Sequence, residues 1–144
     1  GPILIKVPFN YFDLETWTNV AKGYRNDPIG VTRHFQFLVK QHNPDWSDIQ
    51  LLLDHMTETE KQLILKTAQE LARGHIRVTG EDINDHFPLQ DPHWDPIRSA
   101  HIKLLSAYNE WVIRGIEQVI PKTVSWSALY AVWQGPKETP PEFL

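Results

Sequence analysis

Cysteine is absent from this chain of 144 residues. The absence excludes a disulfide framework, a thiolate nucleophile and any zinc site with sulfur ligands. No apolar run approaches the ~20 residues needed to span a bilayer, and residues 1–7 lack the form of a signal peptide. Basic residues are also few: 14 Lys and Arg stand against 18 Asp and Glu, giving a net charge of −4. Tight binding to nucleic acid needs clustered basic residues, so we expect direct contact with neither nucleic acid nor membrane.

Catalytic patterns are missing as well. The sequence has no G-x-S-x-G, no P-loop and no G-x-G-x-x-G, and no pair of its seven histidines has the H-x-x-x-H spacing of a helical metal site. The set that a metal-dependent enzyme would use is His86, His93 and Asp91, which remains a distant alternative. Loop and surface positions explain these residues better. We therefore predict no catalytic residue, no metal and no cofactor, and a protein that is not an enzyme.

Eleven prolines and six tryptophans are present, and the prolines lie between segments of helical periodicity. Asp13 is a candidate cap for a first helix that runs to about Gly23. A second helix is predicted from Asp27, with Pro28 at its first position, and it stops at Asn43-Pro44.

Two further helices are predicted before residue 75. Asp45 begins the third, whose apolar stripe extends to Met56. Thr57 and Glu60 form the pattern of a capping box at the start of the fourth helix. That helix is expected to end at about Arg73, with Gly74 as its C-cap.

The second half of the chain predicts a long connection and two helices. Residues 75–95 have few periodic apolar positions and form a candidate partner-binding loop. Residues 96–120 keep helical spacing and give the longest helix, which Pro121 is expected to end. A short sixth helix is predicted over 125–133. Tryptophans recur at helical spacing at Trp94, Trp111, Trp126 and Trp133. Their positions predict that the long helix packs against the last one. The fold class is therefore all-α, with about six helices.

Six short motifs follow one another along nearly the whole chain. They are P-F-x-x-x-D-L-x-x-W at 8–17, Asp-Pro at 27–28, H-x-P-x-W-x-D at 42–48, T-E-T-E-K-Q at 57–62, F-P-L-x-x-P-x-W-D at 87–95, and Q-G-P-K-E-T-P-P-E-F-L at 134–144. In this order and with these gaps, they resemble the amino-terminal domain of gammaretroviral Gag capsid proteins. The last motif resembles the opening of the retroviral major homology region.

The resemblance implies a structural domain, residues 1–133, that self-associates weakly into hexameric rings and is monomeric when dilute. Residues 134–144 would form the linker and the opening of the homology region, with the carboxy-terminal domain absent. It also implies a virion core location, with host cytoplasm during assembly or entry. Ring contacts are expected on the first two helices, at Asn10, Trp17, Asn19, Val20, Arg25 and Arg33. The homology-region residues are Gln134, Gly135, Glu138, Phe143 and Leu144.

The leading segment departs from the family pattern. In that family a freed terminal proline pairs with an aspartate near the start of the third helix, and Asp48 has this motif position. The segment ahead of Pro8 is short for a β-hairpin, and Pro2 follows a glycine. We therefore expect little or no hairpin and no Pro2–Asp48 ion pair, and Asp48 is expected to cap or be solvated at the third helix.

The origin of the sequence has two interpretations. The sequence departs from the well-known murine and feline capsid sequences at many positions, which fits a distant gammaretrovirus or an endogenous element. The same departures also fit a host gene derived from gag, whose product would be an interaction or restriction module that co-assembles with capsids. Host restriction or trafficking factors are further possible partners.

Overall fold

The computed structural model describes residues 3–133 and, within them, the side chains of residues 3–119. This part of the chain contains six helices and no strand. They are α1 Tyr11–Lys22, α2 Pro28–His42, α3 Trp46–Leu53, α4 Glu58–Ile76, α5 Ile83–His86 and α6 Ser99–Trp133. The predicted all-α class is confirmed. The leader, residues 3–10, has no regular secondary structure.

The first helix begins earlier than the sequence suggested. Asn10 is its N-cap, and the Asn10 side chain accepts a hydrogen bond of 2.8 Å from the backbone amide of Asp13. The Asp13 carboxylate in turn accepts from the Asn10 amide at 2.9 Å. The prediction that Asp13 caps α1 is therefore wrong. Both residue types cap well, and here they are combined in one capping box with Asp13 in the first turn.

The predicted starts of the next three helices are confirmed. Asp27 caps α2 ahead of Pro28, and Thr57 with Glu60 forms the capping box of α4. Asp45 likewise caps α3. The predicted end of α4 at Gly74 is wrong, because α4 continues to Ile76. Gly74 has no positive φ and Ile76 is buried, so packing of the last turn outweighs the weak helix propensity of glycine.

The second half of the chain requires two corrections. The 75–95 connection contains the short helix α5, which Asp82 caps through the amide of Asn84 at 3.0 Å. The longest helix starts at Ser99 and continues through Pro121 to Trp133, so no separate helix forms over 125–133. The fixed φ of proline is itself helical, although a proline in a helix interior loses one hydrogen bond, here to the Glu117 carbonyl, and its ring generally crowds that carbonyl. The expected packing of Trp126 and Trp133 lies outside the described side chains.

The core lies mainly between α4 and α6, with α2 packed on α6. Helices α4 and α6 approach each other closely at Gly115 of α6. A Cβ there would lie 2.7 Å from the carbonyl oxygen of Ile64 and 3.1 Å from the Cβ of Ala68. Trp94 and Trp111 are half-buried at the edge of the core. The largest fully buried side chains are Trp17, Tyr108, Phe35, Phe87, Ile49, Leu52, Leu53, Ile64, Ile116, Val31 and Val112.

Candidate functional site

The outer sides of α1 and α2 carry most of the residues expected at a ring contact. Asn19 on α1, Arg33 on α2 and Arg25 in the turn between them are exposed. Asn10 is also exposed, although its side-chain oxygen is used in the cap of α1. Val20 is half-buried against the core. The fold therefore brings these residues to one pair of neighbouring helices.

Trp17 does not belong to that surface. Its side chain is 0% exposed, and its indole Nε1 donates a hydrogen bond of 2.7 Å to the Leu52 carbonyl. The indole also stacks on the ring of His34, with the centroids 6.0 Å apart. Burial lowers the pKa of His34. The prediction of Trp17 as an interface residue is wrong, because helical spacing places it on the inward face with Ala21.

An exposed apolar and basic stripe on α2 was missed in the sequence. Ile29 and Phe37 are 65% and 55% exposed, and Arg33 lies between them at four-residue spacing. Lys40 continues the same face. The α2 segment contains no acidic residue. Helical periodicity could have revealed this stripe. Ile29 and Phe37 lie at a different angle around the helix axis from buried residues such as Phe35, so they face outward.

The exposed face of α1 has a different character. Phe12 is 72% exposed and makes an edge contact with the ring of Tyr11 at 6.0 Å between centroids. Glu15 and Asn19 lie on the same face and are exposed. Glu15 is in contact with no cation among the described side chains. This face is therefore aromatic and acidic, whereas the α2 stripe is aliphatic, aromatic and basic.

Asp48 lies in the first turn of α3 and completes the capping box of that helix. Its amide donates to Asp45 at 2.9 Å, and its carboxylate accepts from the Asp45 amide at 3.2 Å. Its Oδ2 also lies 3.0 Å from the Nζ of Lys6, and the same ammonium contacts the Asp45 carboxylate at 3.0 Å. Asp48 is thus the N3 residue of the capping box, as Asp13 is in α1, while Asp45 is the N-cap of α3. The Lys6 partner was not foreseen.

The Lys6 bridge changes the electrostatics at the start of α3. Hydrogen bonds to Asp48 and then Asp45 raise the pKa of Lys6. Burial alone would raise the pKa of Asp45, but the Asp48 amide, the Lys6 ammonium and the Ser47 hydroxyl together bring it below its usual value. Pro2 lies outside the described residues, so the expectation about a Pro2–Asp48 pair stays untested.

Backbone hydrogen bonds hold the leader against the rest of the fold. The Leu4 amide donates to the Pro96 carbonyl at 2.9 Å, and the Val7 amide donates to the His42 carbonyl at 2.8 Å. The side-chain amide of Asn43 donates to the Ile5 carbonyl at 2.8 Å. Asn43 is left-handed, with φ 48°, which ends α2 and turns its side chain to the leader. The leader thus links the end of α2 to the segment before α6.

The histidine set of the enzyme alternative is not assembled as a metal site. His86 contacts the carboxylate of Glu81, whereas His93 lies 3.7 Å from Asp91 and its side chain is 85% exposed. Among the described residues, no three His, Cys, Asp or Glu side chains converge as metal ligands. The 75–95 segment also exposes Val78. Binding of partners by this segment stays a prediction, while the residues expected at the ring contact lie on α1, on α2 and in the turn between them.

Two other expectations concern parts of the chain beyond that surface. The homology-region residues, namely Gln134, Gly135, Glu138, Phe143 and Leu144, lie outside the described residues. Among the described residues, no helix is both long enough and apolar enough to cross a bilayer.

Comparisons with known proteins agree on one family. The chain matches the family model of the Gag P30 core shell protein over residues 12–144. It is 33% identical over 141 residues to the Gag polyproteins of Friend murine leukemia virus (isolate 57) and Hortulanus murine leukemia virus, covering 95% of this chain and 26% of each relative. The Glyco-Gag protein of Friend murine leukemia virus (isolate FB29) is also 33% identical over 141 residues, and the match covers 95% of this chain and 22% of that protein. The chain thus spans about a quarter of the length of these relatives.

Proposed function

Because the chain belongs to the Gag P30 core shell protein family, we propose that it is the amino-terminal domain of a capsid subunit that forms hexameric rings. Residues 1–133 would constitute this domain, and 134–144 the linker and the start of the major homology region. Its role is structural rather than enzymatic. Its place would be the virion core, with host cytoplasm during assembly or entry.

The observation that carries the proposal is the exposed stripe on α2. Ile29 and Phe37 leave apolar area in water on either side of Arg33. Arg33 contacts no carboxylate among the described side chains. Apolar side chains beside an unpaired guanidinium are typical of a protein contact, in which arginine and aromatic residues are enriched.

A ring requires two different surfaces on each subunit, because each copy contacts the next one head to tail. The α1 face supplies Phe12 and the carboxylate of Glu15, and the α2 stripe supplies apolar area and the Arg33 guanidinium. The two faces are complementary in charge. We therefore infer that Glu15 of one copy faces Arg33 of its neighbour.

Such a contact is expected to be weak in the isolated domain. Both helices expose only a few apolar side chains, and an exposed ion pair contributes about 0–1 kcal/mol. A monomer in dilute solution is the expected state. Rings would then form when many copies are held together in a shell, where the contact is repeated around a closed symmetric assembly.

The test is charge reversal at Arg33 in a capsid protein that contains this domain. Arg33→Glu places a carboxylate against Glu15, so we expect tubes or particles to be lost in electron micrographs under assembly conditions. Lys66→Glu makes the same charge change at an exposed site on α4 and should leave assembly unchanged. The double variant Arg33→Glu with Glu15→Arg should restore assembly. Normal assembly of Arg33→Glu would remove α2 from the ring contact.

A further inference from the structure

A cavity of about 240 Å³ lies beneath the leader and is unconnected with the α1 and α2 surface. Leu4 and Pro96 both line it, and the Leu4 amide donates a hydrogen bond of 2.9 Å to the Pro96 carbonyl. The volume of the cavity is that of about eight water molecules, so it suits a small ligand rather than a drug-sized one.

The cavity walls are mainly apolar. Leu4, Ile102 and Leu105 supply aliphatic surface, and the indole of Trp94 supplies an aromatic face. Trp94 is held by an edge contact with Tyr108, at 6.1 Å between ring centroids. This contact and partial burial restrict the indole before any ligand enters, which reduces the entropy lost on binding.

The charged groups at the cavity leave an excess of negative charge. Lys6, the one lysine that lines the cavity, is shared between the carboxylates of Asp45 and Asp48, each 3.0 Å from its Nζ. His101 lines the cavity too, and its Nδ1 accepts a hydrogen bond of 2.9 Å from the Asp95 amide. Asp95 lines the cavity as well, and its Oδ1 accepts from the Ile97 amide at 3.0 Å. No cation contacts Asp95 among the described side chains. Three carboxylates thus stand against one ammonium, and a ligand here would meet the unpaired Asp95 carboxylate beside an aromatic and aliphatic wall.

We propose that this cavity binds a small organic ammonium ion. The apolar body of the ligand would pack against Trp94 and Leu105, and its charge would lie at the Asp95 carboxylate. Aromatic rings and carboxylates both attract cations, and a charge-assisted hydrogen bond is stronger than a neutral one. An anion is disfavoured, because the one lysine at the cavity is already neutralised by two carboxylates.

The test is a titration of the isotope-labelled 144-residue chain with phenethylammonium, followed by backbone amide chemical shifts. The matched ligand is 2-phenylethanol, which has the same shape without the charge. We expect saturable shifts at Leu4, Asp95, Ile102 and Leu105 with a dissociation constant of about 1 mM, and binding of the alcohol at least about tenfold weaker.

Variants separate the charge of the cavity from its shape. Asp95→Asn keeps an oxygen for the Ile97 amide but removes the charge, so phenethylammonium should bind about tenfold more weakly. Asp85→Asn removes an exposed carboxylate on α5 and should change the affinity less than about twofold. Ile102→Phe fills the cavity and should abolish binding of both ligands.

Three results would overturn the proposal. They are equal affinity for the amine and the alcohol, an Asp95→Asn variant that binds as the parent does, and shifts that cluster away from the cavity. The fold of each variant is checked from its amide spectrum. If Asp95→Asn does not fold, the comparison of the two ligands on the parent and on Ile102→Phe still decides the question.

Discussion

Substituting Gly115 by alanine should destabilise the domain, although alanine is the better helix former. Glycine in a helix interior costs about 1 kcal/mol relative to alanine, so helix propensity alone predicts stabilisation. The contact with α4 opposes this gain. The new Cβ would lie 2.7 Å from the Ile64 carbonyl oxygen, about 0.7 Å inside the shortest ordinary contact of 3.4 Å. The obstacle is backbone, so it cannot rotate away.

The magnitude follows from these two opposed effects. Overpacking of a well-filled core costs about 1–3 kcal/mol and occasionally more, and a backbone obstacle places Gly115 at the upper end. Moving α6 off α4 would also loosen buried neighbours such as Ala68 and Ile116. We expect Gly115→Ala to lower the free energy of unfolding by about 1–2 kcal/mol after the propensity gain. The melting temperature should fall by about 3–8 °C.

The matched control is Gly74→Ala in α4. Gly74 is helical and exposed, and a Cβ there would meet nothing within 4 Å. Alanine at this position should raise the free energy of unfolding by about 0.5–1 kcal/mol. Urea and thermal denaturation followed by circular dichroism measure both variants. If Gly115→Ala is as stable as the parent while Gly74→Ala behaves as expected, the close helix approach does not limit this position.

Two further predictions concern the buried indole and its neighbour. Trp17→Phe should lower the free energy of unfolding by about 2–3 kcal/mol in urea titrations, because it removes ring volume and the hydrogen bond to Leu52, whereas Trp94→Phe at a half-buried site should cost less. Equal losses would contradict the larger cost expected from the full burial and the hydrogen bond of Trp17. Because burial lowers the pKa of His34 in the folded chain, the unfolded chain takes up a proton on this residue at a higher pH than the folded chain does. The free energy of unfolding should therefore fall as the pH drops below about 6.5. The variant His34→Phe should lose less stability over that range, and a constant difference between variant and parent would contradict the assignment.

Local signals predicted most helix starts. Asp27 before Pro28, and Thr57 before Glu60, specify caps through contacts within four residues, which the sequence displays directly. The same local reasoning misplaced the start of α1, since Asn10 and Asp13 both have the chemistry of a cap. Local reasoning also predicted that a helix ends at Pro121, because proline cannot donate a backbone hydrogen bond, whereas α6 continues through it to Trp133.

Contacts between distant residues could not be predicted. The Lys6 ammonium meets Asp48 across 42 positions of sequence, and only the path of the leader brings them together. The indole of Trp17 reaches the Leu52 carbonyl in the same way. Helical periodicity could have predicted the stripe on α2. It requires first deciding which face of the helix packs on the core, because only then does Phe37 fall on the exposed face.

The charge on α2 also affects how quickly copies of the domain find each other. A segment without carboxylates, on a chain with a net charge of −4, gives each copy an electric dipole that orients approaching neighbours. Encounters that turn α2 toward an acidic surface would be favoured over random collisions. This steering acts over about 10 Å in 0.1 M salt and shortens as salt increases. Ionic strength should therefore slow association more than it speeds dissociation, because a contact between touching apolar side chains is less sensitive to screening.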